Sequence, residues 1–192
     1  IVGYRAELGT WFEPPAPDDS RLTLKDAIWD LRKNATPAID NYSPNPRAKV
    51  PNHEYMTGGW SSMFMSRNRI RTWGQPSFTI QAGGRHAPLH PSAPPMVKIH
   101  KDCWQFEPGA EEMYRRLTVR ECARIQTFPD THQFVYSNVI NGYKMIGNAV
   151  PVEFARRLAA VIHSDMQGLD DLPVRSRRKG KIQTFTEQPA SI

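Results

Sequence analysis

Hydrophobic positions along this chain fall into a few short periodic stretches separated by long aperiodic ones. Leu24, Ile28 and Leu31 recur at i, i+4 and i+7, the spacing of one helix face. Thr23 stands at an N-cap position with Asp26 three residues on, so a short helix is predicted over 22–31. A second stretch, Thr118-Val119-Arg120-Glu121-Cys122-Ala123-Arg124-Ile125-Gln126, opens on T-x-x-E. In that capping box the hydroxyl and the carboxylate each satisfy a backbone N–H of the first turn. Phe128-Pro129-Asp130 ends it. A third helix is predicted from about Pro151 to Met166, with Phe154, Leu158, Val161 and Ile162 on its apolar face. Proline suits a first helical turn, where its missing N–H has no helical partner to lose.

Between these stretches the pattern changes. Pro37, Pro44, Pro46, Pro51, Pro76, Pro88, Pro91, Pro94 and Pro95 forbid long helices, since each removes a donor and fixes φ. Short β-like runs stand among them, Ser77–Gln81 and Met96–Ile99, and Ile1–Arg5 reads as another short strand. The middle of the chain is therefore predicted to be a small, irregular, β-containing domain. After Pro173 the residues turn polar and basic (Arg175, Arg177, Arg178, Lys179, Lys181), the composition of a flexible tail.

Composition sharpens this. With 39% hydrophobic residues and 17 prolines in 192, the chain is expected to need a neighbour to complete its core. A formal charge of +6, from 25 basic and 19 acidic residues, suits an anionic partner, nucleic acid first. No run of about 18 apolar residues predicts a membrane span, and no signal peptide is visible. Cys103 and Cys122 are not in a C-x-x-C pair, and His53, His86 and His90 lack ligand spacing, so no metal site is expected. Lone thiols fit a reducing cytosol.

Two segments carry more specific information. Arg115-Arg116-Leu117-Thr118-Val119-Arg120-Glu121-Cys122-Ala123-Arg124-Ile125-Gln126-Thr127-Phe128-Pro129-Asp130 is followed by Gly147-Asn148-Ala149-Val150-Pro151. Each alone is an ordinary capped helix or turn. In the second, Gly147 permits a close approach or an unusual backbone angle. Asn148 can hold a turn through its side chain, and a helix N-terminus with free N–H groups follows. Arg67, Arg69 and Arg71 alternate along Ser66-Arg67-Asn68-Arg69-Ile70-Arg71, which places them on one side of an extended segment. Arg85 follows Gly83-Gly84. Such a row can be a solvated face paired with Glu54 and nearby acids, or a set of forks reading guanine O6 and N7.

The pair of segments resembles the ninth and tenth conserved motifs of the DNA cytosine-5 methyltransferases. The stretch from Tyr55 to Pro91 is similar to the target-recognition domain of GGCC-recognising, HaeIII-type members. The likeness extends from Ile1 to about His163. It implies an α+β chain. Residues 1–27 end the catalytic-domain sheet and its hinge, and 28–116 form a small irregular target-recognition domain. Residues 117–170 return to an α/β, Rossmann-like methyltransferase domain, and 171–192 form the basic tail. It implies that Arg67, Arg69 and Arg85 read guanines and that Arg71 contacts phosphate or braces the scaffold. Met63, by default a buried packing residue, matches an apolar wedge inserted into the opened duplex. Asn148, Ala149 and Val150 then border the S-adenosylmethionine pocket, motif nine is mostly structural, and Cys122 is a buried packing residue.

The family's nucleophile lies in a Pro-Cys dipeptide, with Glu-Asn-Val and Phe-x-Gly-x-Gly segments elsewhere. None occurs here. The expectation is recognition without catalysis: double-stranded DNA as one partner, and a catalytic half, in a separate chain or a preceding part, as the other. The resemblance implies a bacterial cytoplasmic restriction–modification setting. A non-catalytic DNA-binding module, or a degenerate remnant, stays open as an alternative.

Overall fold

The computed structural model describes residues 2–17 and 21–170, with side chains to 168; the predicted basic tail lies outside the described residues. The chain divides into two compact units, one of residues 1–17 with 153–192 and one of residues 18–152.

The larger unit is built from short elements. Helix α1 spans Leu24–Ile28 and is followed by a 3-10 turn, Asp30–Arg32. Its predicted capping box is present: the Thr23 N–H donates to Asp26 Oδ2 at 2.8 Å and the Asp26 N–H to Thr23 Oγ1 at 3.3 Å. Strands β1 (Thr36–Pro37) and β2 (Glu54–Tyr55) form a parallel pair, Thr36 opposite Glu54 and Pro37 opposite Tyr55. Strands β3 (Val97–His100) and β4 (Cys103–Gln105) form an antiparallel hairpin with a register shift between Lys98 and His100. The run 77–81 joins no sheet. It buries Ile80, but a strand exists only where a neighbour pairs with it.

Helix α2 spans Val119–Ile125 and carries the second capping box. Helix α3, Val139–Asn148, starts at Asn138, whose side chain accepts from the Ile140 N–H. Helix α4, Val152–Asp170, carries the chain onward into the smaller unit. The unpaired elements are thereby cemented by two hydrophobic clusters. One unites Leu24 and Ile28 of α1, Met56, Ile80, Leu117, Val119 and Cys122 of α2, and Val139, Tyr143 and Ile146 of α3. The other lies wholly within 60–114, around Phe64, Ile70, Leu89, Met96 and Tyr114. The expected divisions at 28 and 117 therefore do not coincide with the compact units. Leu117 and α2 share one buried cluster with α1 and the middle segment, and apolar side chains that bury each other belong to one core.

In the smaller unit, the Tyr4 hydroxyl donates to Asp165 Oδ2 at 2.6 Å, and the Tyr4 ring meets Phe12 edge-on. Residues 2–5 form no strand. Apart from the Arg5 carbonyl, which accepts from the Leu8 N–H at 3.0 Å, no described backbone group pairs with them. The apolar face of α4 is only partly covered, and Phe154 is 52% exposed.

Two histidines are structural. His53 is fully buried; its Nε2 lies 3.0 Å from the Leu31 carbonyl and its Nδ1 2.9 Å from Thr118 Oγ1. A carbonyl only accepts, so Nε2 carries the proton and the threonine hydroxyl donates to Nδ1. His90 is also buried, and its Nδ1 accepts from the Ser92 N–H at 3.2 Å. That leaves Nε2–H facing Glu121 Oε1 at 3.5 Å. Despite the carboxylate, burial dominates and pushes the His90 pKa from 6.5 down to about 4. The imidazole is neutral at physiological pH, and the contact is not a formed ion pair.

A depressed histidine pKa fixes the sign of a pH effect. Unfolded His90 protonates near 6.5 while folded His90 stays neutral to about 4, so stability is full above pH 6.5 and falls as pH drops through that window. The loss is on the order of 3 kcal/mol at its lower end. Thermal melts from pH 7 to 4 should show it. His90→Asn, whose amide oxygen accepts from Ser92 without titrating, should flatten the fall; an unaltered profile would show that His90 does not control it.

Candidate functional site

Of the predicted DNA-facing residues, Met63, Arg67, Arg69 and Arg71 lie on or just after one turn, and Arg85 lies on another. Ser61 opens the first: its Oγ accepts from the Phe64 N–H at 3.1 Å and its carbonyl from the Met65 N–H at 3.0 Å. The following 3-10 turn, Phe64–Ser66, buries Phe64 completely and leaves Met63 at 66% exposure. Phe64 anchors the second hydrophobic cluster, its ring tilted against Trp60 with centroids 4.8 Å apart, and Met65 packs against the same cluster, whereas Met63 stays outside it. Met63 is not the buried methionine that packing preference favours.

The arginines behind the turn are treated differently from one another. Arg67 is exposed. Arg69 is half-buried; its Nε donates to the Phe64 carbonyl at 2.9 Å and its Nη2 to the Met63 carbonyl at 3.1 Å. Burial, then the neighbouring Arg67 charge, lowers the Arg69 pKa. Both line a small cavity of about 170 Å³ with Asn68, Gln81 and His86. Arg71 instead lays its guanidinium over the Phe78 ring, 4.2 Å from the centroid. Arg85 is exposed, on the 3-10 turn Gly84–His86, and lines a cavity with Tyr42, Met56 and Trp60.

Among the described residues none of these four pairs with a carboxylate. Glu54, the candidate partner, is buried and accepts from the Tyr136 hydroxyl at 2.7 Å. Adjacent guanidiniums without acids leave a cationic surface with unused donors.

Four other arginines form the scaffold. Arg115 grips fully buried Glu121 with two bonds of 2.8 and 2.7 Å. Burial pushes that carboxyl up, but the hydrogen bonds and charge of Arg115, with the Thr118 N–H, hold it below the usual carboxylate range. Buried Arg116 donates to the carbonyls of Met56, Gly58 and Gly59 and lies 3.8 Å from the Trp60 ring centroid, fixing the segment that leads into the Met63 turn. Arg120 ties α2 to the carbonyls of Pro51 and His132 at 3.1 and 2.8 Å. Arg124 bridges Asp30 and Asp130. The roles of Trp60, Gln81 and His86 were not legible in the sequence; Trp60 meets Arg116 only after folding.

The Gly147–Pro151 turn closes α3. Asn148 is the last helical residue and Ala149 the extended C-cap, its N–H donating to the Ile146 carbonyl at 3.1 Å. A backbone bond, not the Asn148 side chain, holds the turn. The Val152 N–H is also engaged, to the Gln126 carbonyl at 3.1 Å, so it is not among the free donors expected there. Asn148 lines a cavity of about 610 Å³ with Tyr136, Asn141, Lys144 and Met145, and Val150 is 55% exposed. Cys122 is fully buried and burial pushes its thiol far up, which makes it inert as a nucleophile.

The chain matches the C-5 cytosine-specific DNA methylase family over residues 1–164, and it belongs to that family. Among the relatives it is similar to, the Type II methyltransferase M.MthTI of Methanothermobacter thermautotrophicus is 54% identical over 88% of this chain and 51% of its own length. M.FnuDI of Fusobacterium nucleatum is 49% identical over 93% of this chain and 53% of its own. M.NgoPII of Neisseria gonorrhoeae is 48% identical over 86% and 50%. The chain spans about half the length of the curated relatives it matches.

Gly147 gives the site a direct test. A Cβ built there would stand 2.4 Å from Ala82 N and Gln81 C, both backbone. Gly147→Ala should therefore displace the 81–82 segment, at about 1–3 kcal/mol by the usual magnitude of overpacking. Chemical denaturation should show the loss; wild-type stability would mean the two backbones are free to separate.

Proposed function

We propose that this chain is the DNA-recognition portion of a DNA (cytosine-5-)-methyltransferase in a restriction–modification system, acting on duplex DNA at a GGCC core. The observation that carries the reading is the acid-free pair Arg67 and Arg69, lining one cavity behind exposed Met63, with Arg85 exposed and likewise free of a carboxylate on the turn Gly84–His86. A guanidinium fork matches O6 and N7 of guanine in the major groove, and GGCC presents four guanines on its two strands. Arg71, stacked on Phe78, braces the surface or meets phosphate. C5 of a stacked cytosine cannot be reached within the duplex, so the base is flipped out, and Met63 fills the space it leaves.

The cofactor is S-adenosylmethionine, which supplies the methyl group. Asn148, Ala149 and Val150 supply one wall of its pocket, supported by the large cavity at Asn148 and the exposure of Val150. The catalytic half, in the same polypeptide or a second one, supplies the nucleophile, because Cys122 is sealed in the core and neither cysteine follows a proline. Assembly of this chain with its catalytic half should restore methyl transfer to GGCC duplexes and not to scrambled ones. Specific binding without transfer would make it a non-catalytic reader, and transfer by this chain alone would refute the division of labour.

Two substitutions separate the surfaces. Arg85→Ala in the assembled enzyme should lose about 1–3 kcal/mol of discrimination at one guanine, read from binding to cognate and single-mismatch duplexes; equal loss on all duplexes would reduce Arg85 to a phosphate contact. Ala149→Asp should crowd the cofactor wall and set a carboxylate against that of S-adenosylmethionine. Cofactor Kd should rise at least several-fold while sequence preference stays, and the reverse pattern would remove Ala149 from the pocket.

A further inference from the structure

We propose that Arg69 is a positioning residue for Met63, so that reading a base and opening the duplex are one mechanical event. This rests on the recognition reading above. Met63 itself sits on an exposed turn, and an exposed methionine has three rotatable bonds and no fixed direction. What fixes it is its backbone. The Met63 carbonyl accepts from Ser66 Oγ at 2.8 Å and from Arg69 Nη2 at 3.1 Å, and the next carbonyl, Phe64, accepts from Arg69 Nε at 2.9 Å. One planar guanidinium thus spans two successive carbonyls.

The root of Arg69 is equally fixed. Its N–H meets Met96 Sδ at 3.3 Å and its carbonyl accepts from the Leu89 N–H at 3.2 Å, both partners in the buried cluster around Phe64. Its guanidinium also lies 4.8 Å from the Phe64 ring centroid. Of its five N–H donors, two face the turn, which leaves Nη1 and one Nη2 hydrogen for an outside acceptor. Because the guanidinium is rigid, an acceptor that aligns the outer edge aligns the inner edge and the Met63 carbonyl with it. Lysine keeps the charge and loses this, since one ammonium has no planar fork.

The experiment uses the assembled methyltransferase and a duplex carrying 2-aminopurine at the target position, whose fluorescence rises when the base leaves the stack. At saturating enzyme, Arg69→Lys should shift the flipped-to-stacked ratio by about tenfold toward stacked, the loss of a charge-assisted hydrogen bond. Met63→Ala should give a similar loss, and the double variant no more than either alone, because residues acting as one unit are not additive. A purely structural role for Arg69 predicts additive losses and lowered melting instead. Should Arg69→Lys fail to fold, Ser66→Ala removes the hydroxyl donor to the Met63 carbonyl, keeps the Ser66 N–H donor at 3.4 Å, and should give a smaller loss of the same sign. Full fluorescence in the folded Arg69→Lys enzyme, or in Ser66→Ala where that decides, overturns the coupling. No fluorescence rise in the wild-type enzyme on any duplex would instead overturn the recognition reading.

Discussion

The larger unit depends on one buried carboxylate. Glu121 has no exposed surface, and an unpaired charge in such a place would cost several kcal/mol. It is satisfied by the fork of Arg115 and by the Thr118 N–H at 2.8 Å, and the neutral His90 ring stands 3.5 Å from its Oε1. Those contacts start α2, pin the strand-like approach of residues 115–118, and hold the 90–92 turn against it. Thr118 extends the set, since its hydroxyl accepts from the Glu121 N–H at 3.0 Å and also reaches His53. Removing one member would leave the others uncompensated in the core.

From that point outward, arginine does two opposite jobs. Arg116 and Arg120 are almost fully buried and spend their donors on backbone carbonyls of loops that make few hydrogen bonds of their own. A chain with so little sheet needs such clamps, because buried carbonyls must find donors somewhere. Arg67 and Arg85 face outward with no acid nearby. Arg69 stands between the two groups, half clamp and half surface. Residue type does not separate these roles; the local supply of acceptors does.

The Gly147–Pro151 turn and the segment that leads to Arg85 are also joined by backbone contact. Gly147 lies against Gln81 and Ala82 so closely that no side chain fits, and Arg85 follows a few residues later. The glycine of the tenth motif thus acts in packing as much as in the turn itself.

Capping boxes, helix faces and the joint presence of the two motifs were readable in the sequence. They are local, written in residues three or four apart, and the structure carries both boxes and the helices α1, α2 and α4. Helix α3 was missed: its polar and apolar positions give no cap signal as strong as T-x-x-E, and it forms where Tyr143 and Ile146 find the core. Strands were misjudged at 2–5 and 77–81 because pairing is non-local, and an extended run becomes a strand only when a neighbour arrives. The arginine row was legible as chemistry, but not which members are free. That was decided by tertiary structure alone, because a guanidinium's role depends on whether carbonyls, a ring or a carboxylate lie within about 3 to 4 Å of it once distant segments meet.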